Sequence, residues 1–146
     1  MKKIATLLAT LAASLSLLVG CEKNDEMVNP NKLPSEAQTF LATHFPNATI
    51  KTVIKDYDDI SHTYQVTLSD GTFVEFRKGG EWKEVENRVE GVPSSVIPAK
   101  ILDYLTNNYS DDFVVDIERD RRYDVELNTG LDLEFSLDGD FIRIDM

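Results

Sequence analysis

The amino-acid sequence predicts an α+β fold: two tandem repeats of a helix packed on an antiparallel β-sheet, in one compact body whose sheets can join edge to edge. Three observations predict it. The chain repeats itself at a fixed offset. Each copy opens with apolar residues at helical spacing. The period then changes to two, as half-buried strands require.

In chain order, residues 1–20 read as a secretory signal to be set aside from the fold. Lys2 and Lys3 supply the positive start, and Ile4 to Val19 are apolar except for Thr6, Thr10, Ser14 and Ser16. A membrane span takes about 20 apolar residues, and this stretch is shorter and seeded with hydroxyls. Leu18-Val19-Gly20-Cys21 follows, with the only cysteine of the chain. This resembles the lipobox of bacterial lipoproteins, in which the thiol accepts a diacylglyceryl group. Cys21 is therefore expected to carry the lipid that ties the protein to a membrane of the cell envelope, on its periplasmic side or at the cell surface. With Cys21 acylated, no disulfide can staple the fold. Residues 21–32, polar and without apolar period, read as a tether.

The first repeat is assigned to residues 33–90 and the second to residues 91–146. Leu33-Pro34 to Phe45 aligns with Ile97-Pro98 to Tyr109 at an offset of 64 residues. Proline is tolerated at a helix start. Ala37, Phe40, Leu41 and Phe45, and then Ile101, Tyr104, Leu105 and Tyr109, form the two apolar stripes. Ile50 to Lys55 and Phe113 to Arg119 read as first strands. Tyr64, Val66 and Leu68 then alternate with polar residues, as do Tyr123, Val125 and Leu127. Gly80-Glu81-Trp82 matches Gly139-Asp140-Phe141 ahead of a last strand, and Asn87 to Ser95 links the repeats.

The turns fix the hairpin registers. If Ser69-Asp70-Gly71 and Asn128-Thr129-Gly130 are three-residue loops with a left-handed glycine, Val66 faces Val74 and Tyr64 faces Phe76. In the second hairpin Val125 then faces Leu133, and Tyr123 faces Phe135.

Charge excludes some functions. The 146 residues hold 15 Lys and Arg against 26 Asp and Glu; without Lys2 and Lys3 the remaining 126 residues carry a net charge of −13. That argues against nucleic acid and against a polybasic grip on anionic lipid. The 42% hydrophobic content excludes disorder.

Leu-Pro near a helix start, Phe45-Pro46 after it, Tyr64-x-Val66-x-Leu68-x-x-Gly71, Glu75-Phe76 and Gly80-x-Trp82 resemble the PepSY-like domains, which are similar to the β-lactamase-inhibitor protein. The second copy departs from this pattern at Ser110 and Phe141. The resemblance implies a helix on an antiparallel sheet, twice, with a broad sheet available to grip another protein. Inhibition belongs to only some relatives, and no residue here carries it over.

No catalytic signature, phosphate loop or zinc-ligand spacing is present in the sequence. His44 and His62 read as a helix residue and a loop residue without a nucleophile motif, so neither an enzyme nor a cofactor is expected. The hairpin register places Glu126 opposite Asp132 and Asp124 opposite Glu134, all pointing away from the helix. Opposed like charges destabilise a sheet, so neutralising Glu126 and Glu134 is expected to relieve repulsion. The first copy holds Thr67 opposite Phe73 and Gln65 opposite Glu75, which confines the expected patch to the second copy. A solvated face, a basic protein partner and calcium, which takes clustered carboxylate oxygens, are the three readings of that patch. Trp82 and Phe141 read as caps of the core or as aromatic anchors for a partner. The expectation is a non-enzymatic protein-binding or inhibitory module of the envelope, with a small-ligand or cation (calcium) binding protein as the alternative.

Overall fold

In a computed structural model, which describes residues 25–57 and 62–145, the strands of the chain line up in a single antiparallel sheet. The elements run β1 (Glu26–Met27), a 3₁₀ turn (Pro30–Lys32), α1 (Ser35–His44), β2 (Ile50–Asp56), β3 (Thr63–Leu68), β4 (Phe73–Phe76), β5 (Trp82–Glu86), α2 (Ala99–Asn108), β6 (Val114–Arg119), β7 (Tyr123–Leu127), β8 (Asp132–Phe135) and β9 (Phe141–Asp145). Their order in the sheet is their order in the chain, β1 to β9.

Both hairpin registers follow from their turns. Gly71 and Gly130 sit at φ of +87° and +82°, and the N–H of each bonds the carbonyl three residues back, on Leu68 and Leu127. Val66 pairs with Val74 and Tyr64 with Phe76; Val125 pairs with Leu133 and Tyr123 with Phe135. All eight of these side chains are buried.

The expected pair of tandem helix-on-sheet units is overturned by the middle of the sheet. β5 pairs directly with β6, through Glu84 with Glu118, Val85 with Ile117 and Glu86 with Asp116. One nine-stranded sheet with two helices results, and one apolar cluster runs through it. Ala37 and Leu41 of α1, Ile101 and Leu105 of α2, and Val53, Val66, Val85, Ile117, Val125 and Leu133 of the sheet all belong to that cluster. Pairing removes the open edge that β5 would present if the sheet ended there. The segment read as a linker, Asn87 to Ser95, is bound to this core. The Asn87 N–H bonds Val115, its side chain donates to Thr72 and accepts from the Val89 and Glu90 N–H groups, and Val92 is buried.

The segment read as a tether also contributes structure. Glu26 and Met27 pair with Lys55 and Ile54, and Asn29 caps the 3₁₀ turn through the Asn31 N–H. Cys21 and the preceding signal lie outside the described residues, as do residues 58–61 of the acidic loop before His62.

Both helices cover the same face. Phe40 of α1 meets Phe76 edge-on at 5.6 Å, and Tyr104 of α2 meets Phe135 edge-on at 5.4 Å. Each helix start rests on a glycine. A Cβ at Gly80 would lie 2.9 Å from the Cβ atoms of Pro34 and Glu36, and one at Gly139 would lie 3.0 Å from the Lys100 Cβ.

Candidate functional site

The helix-free face carries the charge. Cross-strand pairing aligns its side chains in two rows that run perpendicular to the strands. One row passes through Glu75, Glu84, Glu118, Asp124 and Glu134 and ends at Arg143. The other passes through Glu86, Asp116, Glu126, Asp132 and Asp145. Directly opposed like charges weaken a sheet, so a face built this way needs cations from somewhere.

Part of the compensation comes from the chain itself. Arg88 grips Glu126 with two hydrogen bonds of 2.9 Å and also reaches Glu86 at 3.0 Å. Arg122 lies 3.1 Å from Asp124 and 3.3 Å from Glu134, and Arg143 lies 2.9 Å from Glu134. Lys83 occupies the bulge where β5 slips against β4, which carries its ammonium to within 3.4 Å of Glu75 and 4.0 Å of Glu118.

Of the four carboxylates picked out in the sequence, Asp124, Glu126, Asp132 and Glu134 do share this face in the expected pairs. They are not equally exposed. The Glu134 side chain is only 2% exposed, held between Arg122 and Arg143. The expectation that Glu126 and Glu134 only repel their neighbours is therefore corrected, because both are ion-paired. The patch is also wider than expected, reaching through β6 and β5 to Glu75 on β4.

Its centre was missed. Glu84, Glu86 and Asp116 bring one carboxylate oxygen each within 4.8 Å of one another. Among the described residues no ion pair reaches Glu84 or Asp116, and Asp116 Oδ1 is shielded from solvent without a hydrogen-bond partner. Burial, then the charges of Glu84 and Glu86, push the Asp116 carboxyl up to about 7. Glu84 is also raised, first by burial and then by Glu75 and Glu118. Asp132 is raised by burial, Glu126 and Asp145, whereas the Arg88 hydrogen bond lowers Glu126. The signal that could have found this centre is the Glu84-x-Glu86 spacing, which puts two carboxylates on one face of a strand.

Trp82 and Phe141 lie on the opposite face, under the helices, and so apart from the acidic rows. Trp82 stacks on Phe40 at 6.2 Å and Phe141 on Tyr104 at 4.7 Å. Trp82 is half-buried, whereas Phe141 stays 38% exposed at the last strand. His44 accepts or donates a 2.8 Å hydrogen bond with Ser95 Oγ, a contact that sequence spacing could not reveal. Burial lowers its pKa, and among the described residues no carboxylate hydrogen-bonds its ring.

Comparison with known proteins gives a consistent result. Residues 62–143 match the family described as beta-lactamase-inhibitor-like, PepSY-like. Three solved structures share the fold across almost their whole length. A provisionally described periplasmic protein of the DUF2874 family from Bacteroides vulgatus ATCC 8482 is 35% identical, with a TM-score of 0.80 over 86% of this chain and 99% of that one. A protein from Bacteroides thetaiotaomicron, provisionally described as calcium-regulated and periplasmic, is 36% identical, with a TM-score of 0.80 over 84% of this chain and 97% of that one. A second Bacteroides vulgatus protein, provisionally periplasmic and of unknown function, is 32% identical, with a TM-score of 0.79 over 84% and 99%. No curated protein matches the chain. With the family match spanning more than half its residues and relatives at this identity over their full length, the chain belongs to the PepSY-like family.

Proposed function

We propose that this protein is a non-enzymatic binding module of the bacterial envelope, and that the ligand of its acidic sheet face is a calcium ion held by Glu84, Glu86 and Asp116. The observation that carries this reading is the 4.8 Å grouping of three carboxylate oxygens around the unbonded Asp116 Oδ1. Calcium–oxygen distances of about 2.3–2.6 Å allow two ligands of one ion to stand about 5 Å apart. The relative described as calcium-regulated supports the choice of ion. A cation there would also offset the repulsion along both acidic rows.

The test is thermal melting of a chain beginning at Glu22, which holds every described element, during calcium titration at pH 7.5. Calcium at 100 times its dissociation constant should add about 2.7 kcal/mol of stability. Asp116→Asn should abolish the shift while leaving the fold intact by circular dichroism. A melting curve that millimolar calcium does not move overturns the reading.

A basic protein partner is the second reading, favoured by the breadth of the helix-free face, where each of the two carboxylate rows crosses five strands. It is told apart by capture from envelope extract that persists in excess chelator. The periplasmic description of the relatives supports an envelope location. We propose the finer statement that Cys21 is lipidated and anchors the chain. Cys21→Ala should release the protein from membranes and abolish labelling by a palmitate analogue; continued labelling would refute the anchor.

A further inference from the structure

The two edges of the sheet are unlike. β1 ends the sheet with two residues, a blunt edge. At the other end β9 is five residues long, every one of them exposed, and among the described residues no strand pairs with its outer side. Long unprotected edges template further strand pairing.

The hydrogen-bond alternation determines what that edge offers. The Leu127 N–H bonds the Leu131 carbonyl. In an antiparallel ladder bonded and non-bonded pairs alternate, so Val125 with Leu133 is a bonded pair and the backbone polar groups of Asp132 and Glu134 turn toward β9. Asp145 and Arg143, their partners, are thereby satisfied. The N–H and C=O of Ile144 point outward.

We infer that β9 pairs antiparallel with β9 of a second copy of this chain, about a two-fold axis at Ile144. A two-fold perpendicular to the sheet keeps the helix faces of both copies on one side. The outward Ile144 groups then exchange both hydrogen bonds with Ile144 of the other copy, whereas a centre one residue away would set Arg143 against Arg143 or Asp145 against Asp145. The same register sets Arg143 of each copy opposite Asp145 of the other, in the closely spaced non-bonded position. It also buries Ile144, 41% exposed in one copy, against its twin. Charge complementarity thus comes twice, by symmetry. Asp145, which stands opposite Asp132 within its own chain, gains a guanidinium neighbour.

Sedimentation equilibrium of the chain from Glu22 tests this, at concentrations up to several hundred micromolar. A monomer–dimer equilibrium is expected. Ile144→Pro removes the outward donor and no hydrogen bond to β8, so it should weaken dimerisation at least tenfold. Asp145→Lys, which sets Lys against Arg143 of the other copy, should do the same. Melting temperatures measured at dilutions where the protein is monomeric establish that both variants fold. Ile144→Cys, in a chain with no other cysteine, should oxidise to a cross-linked dimer. A protein monomeric throughout, or a dimer that neither Ile144→Pro nor Asp145→Lys weakens, overturns the inference.

Discussion

Asp116 and Glu134 are both acidic residues at partly or fully buried sheet positions, and their environments give them opposite behaviour. Burial, and then the charges of Glu84 and Glu86, push the Asp116 carboxyl up to about 7, above the ordinary carboxylate value. A raised acid binds more protons in the folded than in the unfolded chain, so stability falls as pH rises between about 4 and 7. Melting temperature should thus be higher at pH 5.5 than at pH 7.5 without calcium. In Asp116→Asn most of that slope should disappear. A slope unchanged by the substitution would locate the titration elsewhere. Glu134 instead rests on two guanidinium groups, and Glu134→Gln should destabilise the protein by about 1–3 kcal/mol, measured by urea unfolding. The opposition of Glu134 and Asp124 was legible in the sequence because a turn fixes it. The arginines that reverse its sign were not, since Arg122 and Arg143 reach Glu134 from separate places in the chain.

At the level of elements, the helices and hairpins could be read from residue spacing to within a residue or two at each end. What spacing could not give is the neighbour of β5. Alternation tells which side of a strand is buried but not which strand lies beside it. Glu84 and Glu118, paired in the sheet, are separated in sequence by the whole of α2. Hence the acidic patch looked confined to one hairpin. The seat of α1 offers a test at this scale. Gly80 has φ of +101° and no room for a Cβ against Pro34 and Glu36, whereas Gly71 at +87° faces open space. Both alanine substitutions strain the backbone, at a cost of roughly 1 kcal/mol or more. Gly80→Ala should cost about 1–2 kcal/mol beyond Gly71→Ala, because α1 must also shift. Equal losses in chemical denaturation would mean that the helix start does not depend on this contact.

For the molecule as a whole, the continuous core decides how it unfolds. Side chains of α1, α2 and strands β2 to β8 meet in one cluster that crosses the β5–β6 junction. Two independent units would melt separately. One core should melt once, with calorimetric and van't Hoff enthalpies in agreement, and Val85→Ala at the junction should lower the single transition rather than split it. Two resolved transitions would show that the junction is mechanically continuous but energetically weak.

The strict β1-to-β9 order of the sheet carries one more consequence, for the time the chain takes to fold. All neighbours in the sheet are successive in sequence, and most are joined by short connections, so little loop entropy opposes their closure. Only two ladders require longer excursions: β1 on β2 spans α1, and β5 on β6 spans α2. Low average separation between contacting residues speeds folding. The hairpins β3–β4 and β7–β8 should thus form early, and closure of β5 on β6 should limit the rate. Substitutions at Val85 and Ile117 would then slow refolding in stopped-flow experiments, and so would Gly71→Ala, whose hairpin is already formed when β5 closes on β6.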